Sequence, residues 1–315
     1  MRVLITGVCG FAGSHLAEYA LAQGAKVAGI DLDEAFPAGV SAYPADVTQP
    51  AVVERVVQRV RPDRVFHLAA LVPAGDVPIP PDRLITVNVL GTLRVLEAVR
   101  RHAPTATTLI ISSASVYGAV PPARQPIDES APFKPSTPYA ASKAMQELLA
   151  IQYGAEHGLP VMRARTFNQT GPRETAGLVT ATLARQVAEI EAGVRGPALA
   201  VRYLVTRRDF TDVRDVVRAY WLILERGIAG DAYNVCSGRA HSVADVLQML
   251  LMLANLTGVQ VVEREPHRRP SDAALSLGDP SRLTTTTGWQ PSIPLEQSLR
   301  DLLDEYRARV GAGII

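Results

Sequence analysis

The stretch Arg2-Val3-Leu4-Ile5-Thr6-Gly7-Val8-Cys9-Gly10-Phe11-Ala12-Gly13 runs an apolar strand pattern straight into three glycines spaced G-x-x-G-x-x-G. A helical pattern follows, with Leu16, Ala20 and Leu21 on one face and Gly24 suited to the left-handed conformation that ends a helix. Strand, glycine turn and helix in this order predict a dinucleotide-binding βα unit. The first glycine permits the tight turn and the second lets backbone approach a pyrophosphate. The third lets helix and strand pack closely, with the phosphates at the helix N-terminus. Gly7, Gly10, Phe11, Ala12 and Gly13 are therefore candidate cofactor-binding residues.

Moving outward, Asp31 ends the next strand, where a carboxylate accepts hydrogen bonds from adenosine ribose hydroxyls and repels a 2′-phosphate. No Arg or Lys lies between Lys26 and Arg55 to hold such a phosphate. The expectation is NAD(H), with NADP(H) as the other possibility. Asp46 and Val47 close a third strand, either beside the adenine edge or in a capping turn. Phe66-His67-Leu68-Ala69-Ala70 ends a fourth strand, where Leu68, Ala69 and Ala70 are small or apolar enough for a cofactor to lie close and His67 reads as a buried histidine.

Strand patterns at Arg2 to Thr6, Lys26 to Ile30, Arg64 to Leu68 and Thr108 to Ser112 alternate with amphipathic stretches. Parallel strands need crossover connections, so the first half predicts an α/β doubly wound parallel Rossmann sheet. Pro73 to Pro81 contains too many prolines for a helix or central strand and reads as a loop near the site. Helical patterns at Leu178 to Ala192, Val213 to Arg226, Val243 to Ala254 and Leu295 to Arg309 predict a second, smaller substrate lobe, and Thr284 to Thr287 reads as a turn or strand edge. The expected division is residues 1–167, with 209–236 returning to them, for the dinucleotide, and 168–208 with 237–315 for the substrate.

A net charge of +1 supplies no general field for nucleic acid or an anionic membrane, so neither is an expected partner. Cys9 and Cys236 are too few for a disulfide framework and lack zinc-site spacing, so no metal is expected. Met1 leads directly into the first strand pattern, without room for a signal peptide, and a cytoplasmic location is expected.

Tyr139-Ala140-Ala141-Ser142-Lys143 places a phenol and an ammonium one helical turn apart on the same face. A fixed cation stabilises phenolate, which suits Tyr139 to proton exchange with a carbohydrate oxygen. Ser113 ends the strand pattern Leu109-Ile110-Ile111-Ser112-Ser113, at the edge where ligands sit in parallel sheets. Ser113, Tyr139 and Lys143 form the candidate catalytic set.

On these residues, with Ser112 to Gly118 and Arg165-Thr166-Phe167-Asn168-Gln169-Thr170-Gly171-Pro172, the whole chain resembles the extended short-chain dehydrogenases/reductases, and within them the nucleotide-sugar epimerases, dehydratases and reductases. The resemblance implies a nucleoside-diphosphate sugar as substrate, with Asn168 near the sugar diphosphate and Lys143 also on the nicotinamide ribose. It implies that Arg208 and Arg269, in Arg207 to Asp215 and Arg268 to Asp272, clamp the diphosphate, to which guanidinium gives forked bonds. It further implies a homodimer paired through helices near Pro81 to Arg101 and Thr137 to His157. The second half is most similar to the GDP-4-keto-6-deoxy-D-mannose reductases, from which Gln169, Arg173 and Ser115 depart. Dehydratases of this kind carry an acid where Ser115 stands. The leading expectation is hydride transfer to a 4-keto sugar, the alternative an NAD-dependent UDP-hexose 4-epimerase. A non-catalytic dinucleotide sensor is disfavoured by the intact Ser113, Tyr139 and Lys143.

Overall fold

The computed structural model describes residues 1–75, 78–174, 176–263 and 273–314. Strand β1 (Arg2–Thr6) turns at Gly7 into α1 (Phe11–Ala22), and β2 (Lys26–Asp31), β3 (Ser41–Pro44), α2 (Pro50–Val60) and β4 (Arg64–His67) follow. Next comes one helical path: α3 (Pro81–Leu84), a π-helical segment Ile85–Leu90 and α4 (Gly91–His102). The sheet then gains β5 (Thr107–Ile111), α5 (Pro138–His157) packs on it, and β6 (Val161–Thr166) completes the first half.

The second half begins with β7 (Asn168–Thr170), α6 (Val179–Glu191), β8 (Ala198–Val201), β9 (Arg207–Asp212) and α7 (Val213–Arg226). It continues through β10 (Ala232–Val235), β11 (Ala240–Ser242), α8 (Val243–Leu253), β12 (Gln260–Glu263), β13 (Leu275–Ser276), α9 (Ser281–Thr287) and α10 (Leu295–Gly311).

The main sheet has seven parallel strands in the order β10-β6-β5-β4-β1-β2-β3. It is the doubly wound Rossmann arrangement expected. Strand side chains alternate between faces, and both faces are covered, so the centre of β1, Val3-Leu4-Ile5, is apolar on both. Val3 and Ile5 pack toward α1 and α7, whereas Leu4 packs with Val53, Val57, Val95 and Val99 of α2 and α4. A separate core lies among α6, α8 and α10, where Leu183, Val187, Leu247, Leu250, Leu299 and Leu303 meet. Two small sheets accompany it: β9 joined to β7, β11 and β13, and β12 paired with β8. Among the described residues, no helix is long and apolar enough to cross a membrane.

Thr284 to Thr287 lies within α9, so the expectation of a turn or strand edge there is corrected. Threonine favours extended backbone, but context overrides that preference. The Asp279 carboxylate accepts from Ser281 N, Thr287 Oγ1 donates to the Leu283 carbonyl, Leu283 is buried, and Gly288 closes the helix at φ 76°.

Candidate active site

The site lies along the C-terminal edge of the main sheet, where the connections leaving neighbouring β1 and β4 run to opposite sides, to β2 and to β5, and leave a crevice. Gly7 adopts φ +73°, and a Cβ there would sit 2.7 Å from Ala69 N. A Cβ on Gly13 would sit 1.9 Å from the Gly7 carbonyl oxygen. Backbone is thus packed against backbone, and only glycine fits. The α1 N-cap, Gly10, has no side chain to cap the helix, so the first-turn N–H groups face a cleft of about 730 Å³. This cradle fits a dinucleotide pyrophosphate.

The same cleft is lined by Gly7, Gly10, Phe11, Ala12, Gly13, Leu68 and Ala70 and by Ser113, Tyr139 and Lys143. Asn168 and Arg208 line it as well. Asp31, Asp46, Val47 and Ala69 are not among the lining residues. Asp31 closes on the glycine loop instead: its carboxylate accepts from Cys9 N at 2.8 Å and from Asp33 N at 3.2 Å. Asp46 lies beyond the end of β3 and accepts from Thr48 N at 2.8 Å, a turn role, while Val47 is buried. Arg208 Nη1 donates to the Ala273 carbonyl at 2.8 Å. Arg269 lies outside the described residues.

Tyr139 stands in the first turn of α5, which is capped by the Thr137 hydroxyl accepting from Ala140 N. One turn on, Lys143 is buried; its Nζ donates to the Ile111 carbonyl at 2.9 Å and lies 6.0 Å from the Tyr139 ring centre. Burial lowers the Lys143 pKa to about 7, with Glu147 pulling it back up. Burial pushes the Tyr139 phenol up to about 12, with the facing Ser113 hydroxyl pulling it down. The phenol is therefore protonated at neutral pH and poised to give a proton. Ser113 caps the 3-10 turn Ala114–Tyr117, and Ser115 Oγ donates to Ser113 Oγ at 3.0 Å.

His67 reads from the sequence as a buried histidine, whereas the residues around it and the supporting groups below escaped that reading. His67 is buried and neutral, burial lowering its pKa to about 3. Thr92 Oγ1 gives its proton to the Asn88 carbonyl, so His67 Nε2 must donate to Thr92, and His67 Nδ1 accepts from Thr6 Oγ1 at 2.7 Å. The Asn88 side chain bonds Leu71 N, the Leu71 carbonyl and Ser142 Oγ, joining the π-helical segment to the cleft loop and α5. Below Lys143, buried Glu147 accepts from Arg165 Nε and Nη2, and Arg165 Nη1 donates to Tyr117 Oη. Glu174, also buried, lines the cleft and accepts from the Thr170 and Thr180 hydroxyls; burial raises its pKa to about 7. Of the residues that were missed, Glu147, one turn after Lys143, left a readable signal.

The family model described as GDP-mannose 4,6 dehydratase matches residues 4–302. The chain is 35% identical over 309 residues to GDP-6-deoxy-D-mannose reductase of Pseudomonas aeruginosa, covering 98% of each protein. Among solved structures it resembles RMD from Pseudomonas aeruginosa complexed with NADPH, with TM-score 0.83 and 34% identity over 98% of this chain and 99% of that one. It also resembles the Thermus thermophilus UDP-glucose 4-epimerase complex with NAD, with TM-score 0.87 and 32% identity over the same shares.

Proposed function

The chain belongs to the GDP-mannose 4,6 dehydratase family, and from that premise we propose that it reduces the C4 ketone of a nucleoside-diphosphate 4-keto-6-deoxyhexose. The observation that carries this reading is that Ser113, Tyr139 and Lys143 line one cleft together with the glycine cradle and with Asn168 and Arg208. The likeness to a GDP-6-deoxy-D-mannose reductase supports the substrate class. Ser115 supports reduction over dehydration, because a serine hydroxyl has no acidic proton to move during an elimination.

A bound nicotinamide dinucleotide supplies hydride to the ketone carbon. Ser113 donates a hydrogen bond to the ketone oxygen, and Tyr139 gives that oxygen its proton as negative charge develops. The Lys143 ammonium, anchored on the Ile111 carbonyl, stabilises the phenolate left behind. Leu68, Ala70, Leu71 and Phe167 line the cleft with apolar surface and limit water near the reacting carbon. Asn168 and Arg208 are assigned to the diphosphate and Asp31 to the adenosine ribose, which favours NAD(H). NADP(H) remains compatible with the fold, since a similar protein was crystallised with NADPH. Residues 1–167, with 209–236 returning, are assigned to the cofactor, and 168–208 with 237–315 to the nucleotide sugar.

Exposed Leu90, Met145, Leu148 and Ile151, on the helical path before β5 and on α5, offer an apolar face for pairing in a homodimer. The free thiols of Cys9 and Cys236 suit the reducing cytoplasm.

The test offers GDP-4-keto-6-deoxy-mannose with reduced cofactor, and separately UDP-glucose or UDP-galactose, and identifies the products. Stoichiometric cofactor oxidation with the first supports the reductase. Interconversion of the second pair without net redox change selects an epimerase, the reading favoured by the Thermus thermophilus likeness.

A further inference from the structure

A hydroxyl oxygen has two acceptor sites and one hydrogen. At Ser113 both acceptor sites are taken: Ser115 N donates to Ser113 Oγ at 3.2 Å and Ser115 Oγ donates to it at 3.0 Å. The segment that carries Ser115 is itself fixed. Gly118 N donates to the Ser115 carbonyl at 3.0 Å, Lys134 N donates to the Val116 carbonyl at 2.9 Å, and a Cβ on Gly118 would fall 2.0 Å from the Lys134 carbonyl oxygen. The one remaining role for the Ser113 hydroxyl is to donate. Both serines and Tyr139 line the same cleft, and the Ser113 hydroxyl faces the Tyr139 phenol.

We propose that Ser115 is a positioning residue that fixes the Ser113 hydroxyl as a hydrogen-bond donor toward the ketone oxygen of the substrate. The proposal rests on the reductase reading above and adds to it a device for substrate polarity. A ketone oxygen only accepts, so it matches a hydroxyl locked as donor. A sugar alcohol in the same place brings its own O–H, for which Ser113 has no acceptor site left. Such a site places its oriented dipole where charge develops during reduction, without reorganisation at the moment of hydride transfer. Without the Ser115 hydroxyl, one acceptor site of Ser113 falls vacant and its O–H is free to turn away.

The test is a double-mutant cycle on keto-sugar reduction by the full chain, comparing wild type, Ser115→Ala, Ser113→Ala and the pair. Ser115→Ala is expected to lower kcat about tenfold, less than removal of a whole oxyanion donor, with KM unchanged within twofold, and Ser115→Thr to restore kcat. In the Ser113→Ala background, Ser115→Ala is expected to add no further loss, because Ser115 acts only through Ser113. An unchanged kcat in Ser115→Ala, an additive loss in the pair, or a loss confined to KM overturns the proposal. If the wild type oxidises no cofactor with the keto sugar yet interconverts UDP-hexoses, the reductase reading falls. The cycle is then run on that conversion, where additivity of the two serines still overturns the role of Ser115.

Discussion

The Lys143 ammonium donates to the Ile111 carbonyl at 2.9 Å, tying α5 to the end of β5 two residues before Ser113. The bond joins the phenol-bearing helix to the strand whose end leads into Ser113. Tyr139→Phe removes the proton donor and leaves that tie in place. It is expected to lower kcat on the order of 10³-fold, within the range of general acid catalysis, while leaving the urea midpoint and cofactor binding close to those of wild type. A Phe variant within tenfold of wild-type kcat would refute the role of the phenol.

Lys143 must be charged to stabilise phenolate, and burial lowers its pKa to about 7. A cation loses its proton as pH rises, so the expected profile of kcat/KM for reduction is level below about pH 7 and falls above it, toward tenfold per unit. Measurement from pH 5.5 to 9 checks this. A rate that rises across that range contradicts the assignment.

Glu174 is buried, and its pKa stands near 7 against an ordinary value of 4.5. A carboxyl whose folded value is raised contributes stability that is full below about pH 4.5 and lost as pH rises through about 7. Glu174→Gln keeps an oxygen and a nitrogen beside the Thr170 and Thr180 hydroxyls without the charge. It is expected to be more stable than wild type at pH 8 by on the order of 2 kcal/mol, with the difference vanishing near pH 4.5. Urea unfolding at the two pH values measures it.

Arg165→Met removes the hydrogen-bonded partner of the fully buried Glu147 carboxylate and leaves it Arg163, at 3.6 Å, and Lys143, one helical turn away, as cationic neighbours. Loss of one partner from a buried ion pair costs about 3–5 kcal/mol, so the urea midpoint should fall steeply. Replacing Glu147 by Gln in the same protein should recover part of the loss. A single variant as stable as wild type would contradict the pairing.

Asp31 faces the glycine loop and, with no nearby cation in sequence between Lys26 and Arg55, disfavours a 2′-phosphate. The expected result is a higher kcat/KM with NADH than with NADPH, narrowed by Asp31→Ala. A strong wild-type preference for NADPH contradicts this role.

What the sequence disclosed and what it hid divide along the range of the interactions. Gly7 to Gly13 and the Tyr139–Lys143 pair were legible because their geometry is local: a strand-to-helix turn and one turn of helix. The helix Val213–Arg226, and the last helix as far as Arg309 of its observed span Leu295–Gly311, followed from periodicity alone. The helix across Thr284 to Thr287 was hidden because its stability comes from Asp279, buried Leu283 and Gly288 and not from threonine propensity. The Thr6–His67–Thr92–Asn88 chain joins residues from two strands, α4 and the π-helical segment, and the Glu147–Arg165 pair joins α5 to β6. Such pairings become visible only when the sheet is assembled. Glu174 was hidden for the same reason, since its burial depends on α6 closing over it.

The most direct test of the central claim follows the hydride itself. Reduced cofactor carrying deuterium at the transferable C4 position of its nicotinamide is turned over with the 4-keto-6-deoxyhexose nucleotide, and the product is examined by NMR. The account predicts one deuterium at C4 of the sugar for each cofactor oxidised, and none in the Tyr139→Phe protein at equal times. Product lacking deuterium at C4, or deuterium elsewhere on the ring, would contradict it.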